Sequence, residues 1–285
     1  MKMKKFLAVL MILCMAVSLF ACAEKFDPAK KSEGVMTYAE YDAAAMDAEV
    51  VIEAYVQATQ SWWDNKITAY LQDPDGAYFC YEMACSEADA AKLTPGTKIK
   101  VTGYKGEWAG EVEIMDATFE FVESEKWVAE ATDVTALLGT EELIKHQNKF
   151  VTFKGLTVVS VEYKNGEPGD DIYVTVSKDG AEYSFCVERY LTDPETDVYK
   201  AFADLKAGDV VDIEGFIYWY EGINTHIYKL ASKLLGTLQL VFVENGVESD
   251  IDPHAEEVCI VHYTCYIFGG VCSTTTCAKT LSTNV

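Results

Sequence analysis

The sequence predicts a mainly β chain, two tandem five-stranded Greek-key barrels with short helices, placed after an export leader. Three observations carry that prediction. A glycine-punctuated pattern occurs twice at one constant spacing. The segments around it alternate apolar and polar residues, as half-buried strands do. Half of the 285 residues are apolar, which is enough for one large core or two modest ones.

The first copy of the pattern is Leu93-Thr-Pro-Gly96-Thr-Lys-Ile99-Lys-Val101-Thr-Gly103-Tyr104, closing near Trp108 and Gly110. The second is Leu205-Lys-Ala-Gly208-Asp-Val-Val211-Asp-Ile213-Glu-Gly215-Phe216, closing near Tyr220 and Gly222, with every landmark 112 positions on. Upstream, Phe79-Cys80-Tyr81-Glu82 matches Phe185-Cys186-Val187-Glu188 at a spacing of 106, so the second copy has the longer connection.

In the first copy, Thr37 with Glu40 three residues on is a capping box that opens an Ala-rich helix to about Ala48. Val50–Thr59 alternates as a strand, and Ile67–Gln72 is a second. Asp73-Pro74-Asp75-Gly76 reads as a turn rather than a calcium loop, because the later ligands are missing. Then follow a strand at Ala77–Met83, a helix at Ser86–Lys92, a strand at Lys98–Lys105, a bend at Trp108 and Gly110, and a strand at Glu111–Phe121. The second copy gives a helix at Thr140–Gln147, strands near 150–163, 172–177, 181–189, 209–219 and 223–230, and a helix near 195–205. Five strands with a helix between the third and fourth is the order of the OB-fold. Gly96 and Gly208 turn the chain into strand four, and Gly103 and Gly215 let that long strand coil. The domains expected are 36–123 and 124–235, the second including a linker helix. The glycine pattern with its following hairpin resembles OB modules of bacterial surface proteins, including those attached to secreted nucleases, and uncharacterised OB-fold lipoproteins of gut Gram-positive bacteria.

Ahead of the barrels, Lys2, Lys4 and Lys5 precede an uncharged apolar run from Phe6 to Phe20, an export signal too short to span a bilayer comfortably. Leu19-Phe20-Ala21-Cys22 resembles the lipobox of bacterial lipoproteins. The resemblance implies cleavage after residue 21, a lipid on Cys22 and attachment to the outer face of a cell membrane, with 22–35 as a flexible tether. Two acyl chains suffice for stable anchoring. The formal charge of −23 becomes −26 once the leader and its three lysines are gone, and Arg189 is the only arginine. Such acidity opposes polyanion binding, since Lys and Arg supply most of the affinity for phosphates.

Cysteine use fits no zinc pattern. Cys80 and Cys186, at equivalent positions of the repeat, read as matching core sites; with Cys85 the body holds three cysteines, which leaves one odd, and a Cys80–Cys85 pairing is conceivable. Cys259, Cys265, Cys272 and Cys277 crowd an atypical tail, 236–285, in which Thr237–Val243 still reads as a strand. For that tail a disulfide-stapled hairpin, a disordered extension and out-of-frame sequence compete, and poor order is expected.

Candidate binding residues follow from where OB-folds bind, on the face of strands two and three and the loops beside it. Trp62 and Trp63 lie in the first loop of copy one, Tyr70 and Tyr78 on its strands two and three, and Trp108 in its last hairpin. Trp219 and Tyr220 occupy the corresponding hairpin of copy two, whose acidic first loop (Glu167–Asp171) has no aromatics, so copy one is the better site. His146 and His226 have no nucleophile motif beside them. The expected function is an extracytoplasmic binding or scaffolding module for a glycan, peptide or protein, not an enzyme, with no cofactor and no metal. A single-stranded nucleic-acid binder is the first alternative, opposed by charge, and a hydrolase or its accessory domain is the second.

Overall fold

The computed structural model describes residues 26–234, together with a two-residue ladder pairing Ile260–Val261 with Cys277–Ala278. The expected leader, Cys22 anchor and 237–243 strand, and the remainder of the tail, lie outside the described residues. The first barrel contains α1 (Tyr38–Ala43), β1 (Glu49–Thr59), β2 (Lys66–Gln72), β3 (Ala77–Ala84), α2 (Glu87–Ala90), β4 (Lys98–Trp108) and β5 (Glu111–Phe121). Its strands close in the order β1-β2-β3-β5-β4. After β6 (Thr132–Asp133) the second barrel follows with β7 (Phe150–Tyr163), β8 (Ile172–Lys178), β9 (Ala181–Val187), α3 (Asp197–Ala203), β10 (Val210–Phe216) and β11 (His226–Leu234). The order there is β7-β8-β9-β11-β10, and β10 pairs back onto β7 to close the ring. Both copies are therefore five-stranded barrels of OB order, with a helix between the third and fourth strands.

Local chemistry explains the departures from the sequence reading. The Thr37–Glu40 capping box is formed, but α1 stops at Ala43. Lys105 of β4 donates to the carbonyls of Tyr41, Asp42 and Ala44 at 2.7–3.1 Å and takes up acceptors that further helix would have used. The expected helix at 140–147 is a 3₁₀ segment, Glu141–His146, because the Thr140 hydroxyl donates to Leu137 O instead of capping the next turn.

Gly103 and Gly215 serve a close approach between strands. A Cβ at Gly215 would lie 2.3 Å from His226 O on β11, and one at Gly103 would lie 2.7 Å from Met115 O on β5. Neither obstruction is a side chain that could swing away.

Cys80 and Cys186 do not occupy matching sites. Ala69 pairs with Cys80 in the first barrel, whereas Val174 pairs with Phe185 in the second. Cys80 thus corresponds to Phe185, at a spacing of 105, and both face their cores. Cys186 sits on the opposite side of its strand, since a shift of one residue exchanges faces. Cys80, Cys85 and Cys186 are all buried free thiols.

Residues 26–35 are not a free tether. Lys31 Nζ, almost wholly buried, bonds Asp73 Oδ2 at 2.6 Å and Glu53 O at 2.9 Å. Ser32 N donates to Glu53 Oε2 at 3.2 Å, Glu53 pairs with Lys98, and Phe26 lies edge-on to Tyr55. The segment is a strap along the first barrel. Trp127 packs on the same Tyr55 ring, Ala129 N donates to Gln57 Oε1, and β6 then joins β7 in parallel. The linker is therefore docked to both barrels.

Because backbone must move to admit a methyl group, Gly215→Ala should lower the free energy of unfolding by about 1–3 kcal/mol. Urea denaturation of the two proteins checks this, and an unchanged midpoint would refute the close-approach explanation.

Candidate functional site

Alternation along β2 and β3 sets which side chains leave the first barrel. Ala69, Leu71, Tyr78 and Cys80 point into its core, so Tyr70 and Phe79, which pair across the two strands, point out. This outer face is the usual ligand face of an OB barrel, flanked by the first and last loops. Here it is occupied by the second barrel. Tyr70 stacks on Phe216 with centroids 4.3 Å apart and planes 13° apart, and Phe79 meets Tyr218 edge-on at 5.4 Å. With Ala58 and Leu191 these residues form a separate apolar cluster, backed by Phe150 and Tyr228.

Polar contacts clamp the filled cleft at both ends. At the last hairpin, Trp219 N and Gln147 Nε2 donate to Glu111 Oε2 at 2.8 and 3.1 Å, and Glu221 N donates to Ala109 O at 2.8 Å. Gly110 is required beneath Trp219: its φ is +93°, and a Cβ would lie 2.6 Å from the indole Cδ1. At the first loop, Ser61 N donates to Tyr190 O at 2.7 Å and Gln60 Nε2 to Glu188 Oε2 at 3.1 Å. In the middle, the Tyr70 hydroxyl hydrogen-bonds His226 Nδ1 at 2.8 Å, and the His226 ring stacks on Tyr218 at 4.2 Å.

The aromatic residues singled out in the sequence separate into three groups. Tyr70 and Tyr78 are fully buried and cannot present themselves to a ligand. Tyr70 is held in the seam, while Tyr78 packs against Tyr41 and donates to Asp73 Oδ2 inside the first barrel. Trp62 and Trp219 are partly covered, Trp62 as a lid on the first core with its Nε1 donating to Cys85 O. Trp63, Trp108 and Tyr220 are exposed, at 59%, 54% and 47%. Trp108 and Tyr220 hold equivalent repeat positions and contact each other, centroids 5.1 Å apart, as an aromatic rim where the two hairpins meet.

Glu111 and Glu188 are seam residues that sequence reasoning passed over, and His226, considered there only for catalysis, is a third. A signal for the seam does exist: Tyr70 and Phe79 of copy one correspond in the sheet to Thr175 and Ser184 of copy two. An aromatic outer pair belongs to a covered face and a polar pair to an open one. The outer face of β2 and β3 in copy one, where the better binding site was expected, is filled by the second barrel.

Burial sets the electrostatics. It pushes the Glu111 carboxyl up to about 8 and that of Glu188 to about 7, and pushes the His226 imidazole down to about 3. Cys186 and His226 are backbone partners across β9 and β11. Burial raises the thiol and lowers the imidazole, the reverse of what a thiolate–imidazolium pair requires. Among the described residues no group of three or more His, Cys, Asp and Glu side chains is arranged to hold a metal ion.

No protein-family model matches the chain, and no curated protein does. Among solved structures, a murine DNA-binding protein bound to double-stranded DNA is similar at 13% identity, covering 63% of this chain and 93% of that one, with a TM-score of 0.32. The tetrameric p202 HIN2 gives 12%, 66%, 96% and 0.32. A replication protein A heterotrimer bound to single-stranded DNA gives 11%, 66%, 51% and 0.27. Scores this low carry no argument about function, and the fold assignment rests on the strand pairing itself.

Tyr70→Phe removes the Tyr70 hydroxyl that bonds the buried His226 Nδ1 while keeping the stack on Phe216. The variant should be less stable by about 1–3 kcal/mol in urea unfolding. A midpoint equal to wild type would show that the bond does not help to hold the seam.

Proposed function

We propose that the chain is an extracytoplasmic binding module, tethered to a membrane through Cys22, whose contact surface is the aromatic rim rather than an OB cleft. The observation that carries this reading is the Trp108–Tyr220 pair. Equivalent hairpins of both barrels bring the two rings together at the surface and leave them open to solvent. The Glu221 N to Ala109 O bond fixes the two hairpin tips against each other, so the rings are oriented before a ligand arrives.

Charge selects among the ligands that stack on aromatic rings. Nucleobases stack well, but their phosphates would approach a chain of formal charge −23 that holds one arginine. A sugar ring offers a comparable apolar face without the phosphate, and its hydroxyls can donate to the carboxylates in which the chain is rich. A neutral glycan is therefore the ligand class proposed. The lipid on Cys22 rests on the lipobox resemblance and places such binding at a cell surface.

Tryptophan fluorescence of the folded chain should be quenched by a neutral oligosaccharide, and Trp108→Ala with Tyr220→Ala should weaken that binding at least tenfold. Salt-sensitive quenching by single-stranded DNA would replace the glycan reading with the nucleic-acid one. No response to a broad panel of neutral glycans would remove it.

A further inference from the structure

We infer that the strap stands the first barrel on end above a phospholipid bilayer, with the anchored end of β4 and β5 nearest the headgroups and the Trp108–Tyr220 rim turned away from them. The inference rests on the lipid at Cys22 and adds to it which end of the molecule the bilayer meets.

The strap begins almost at the anchor. Phe26 is four positions on from Cys22, and four residues of fully extended chain reach only about 14 Å. From Phe26 onward the chain is pinned to the barrel. Phe26 lies against Tyr55, Lys98 Nζ donates to Lys30 O at 2.6 Å, Lys31 Nζ bonds Asp73 and Glu53 O, and Met36 N donates to Val51 O at 2.8 Å. The Lys31 and Lys98 side chains are 11% and 8% exposed, and the acids they pair with, Asp73 and Glu53, are more buried still. Peeling the strap away would leave Asp73 without its cation inside the barrel, a costly state. The strap is therefore part of the barrel, and only residues 23–25 remain as spacer.

The order of the contacts gives a direction. Tyr55 pairs with Lys98 at the start of β4, and Val51 pairs with Thr102 farther along it. The strap thus enters at the Lys98 end. Ile99 pairs with Phe121 at that same end, whereas Trp108 pairs with Glu111 at the other. The eleven residues of β4, Lys98–Trp108, span roughly 30 Å, about twice the reach of the spacer. Anchor and rim therefore lie at opposite ends of one continuous pair of strands. A bilayer excludes the protein from one half of space, so a rigid body held by one end points its other end outward. The strongly acidic chain also resists lying flat on an anionic surface.

Energy transfer from protein to membrane tests the orientation. The lipidated chain is placed in phosphatidylcholine vesicles that carry a fluorescent acceptor on a headgroup. A fluorescent amino acid replaces exposed Glu123, which lines one cavity with Phe26 and Lys30, or exposed Glu107, next to Trp108 in the chain. Transfer should be at least threefold stronger from position 123 than from position 107. Inserting about twenty Gly and Ser residues between positions 25 and 26 makes a flexible spacer without touching the strap, and should bring the two positions close to equal. Equal transfer in the uninserted chain, stronger transfer from position 107, or a difference that survives the insertion would each overturn the inference. The mass of the N-terminal peptide separates the two readings. A Cys22 without lipid removes the anchor and the orientation together, and a lipidated Cys22 with equal transfer removes the orientation alone.

Discussion

The arrangement of this molecule depends on one contact, the stack of Tyr70 on Phe216. An OB barrel that carries two adjacent aromatic residues on the outer side of its second and third strands has an apolar face that must be covered. Here the cover is the next domain of the same chain. Each ring buried in the seam contributes on the order of 1.5–3 kcal/mol, and the linker makes their meeting intramolecular. Covering that face then fixes everything beside it. The first loop of barrel one comes to rest on Tyr190, and its last hairpin on Trp219 and Glu221. The two equivalent hairpin tips become one surface.

The seam is apolar at its centre and polar at its ends, and that division decides how specific the docking is. Aromatic faces slide over one another at little cost, so stacking alone would leave the angle between the barrels loose. The hydrogen bonds from Trp219 N to Glu111, from Gln60 to Glu188 and from Phe150 N to Gln72 each demand one registration. Gly110 adds a steric condition, since any side chain there would collide with the Trp219 indole. Desolvating two carboxyls offsets part of the stabilisation. In exchange, the joint has a single geometry.

Repetition was the part of the fold that could be read from the chain. Glycines at Gly96 and Gly208, and at Gly103 and Gly215, recur because two barrels of one order need the same turn and the same close strand approach. Side-chain direction was legible only where register was. Aligning Cys80 with Cys186 is off by one residue, and with a period of two that places the second thiol on the wrong side of its strand. Tyr70 and Tyr78 both read as aromatic residues on a binding face. One is buried by another domain and the other by its own core, a distinction that needs the strand pairing. The strap was hidden for a different reason. Lys31 looks like a solvated charge until Asp73 and Glu53, 42 and 22 positions away, are brought to it.

The repeat is symmetric in fold and asymmetric in use. Barrel one supplies a cleft, barrel two supplies what fills it, and the outer face of barrel two, with Thr175 and Ser184 where barrel one has Tyr70 and Phe79, stays polar and open. Had both copies kept aromatic outer pairs, the second would have needed a third domain or another molecule to cover it. Had neither kept them, the two barrels would have been independent units on a linker. One aromatic face and one polar face is the combination that closes after two domains. It also leaves the rim, where Trp108 and Tyr220 meet, as the place where both copies contribute an exposed ring to one surface. A ligand that stacks on both rings therefore reads the angle between the barrels.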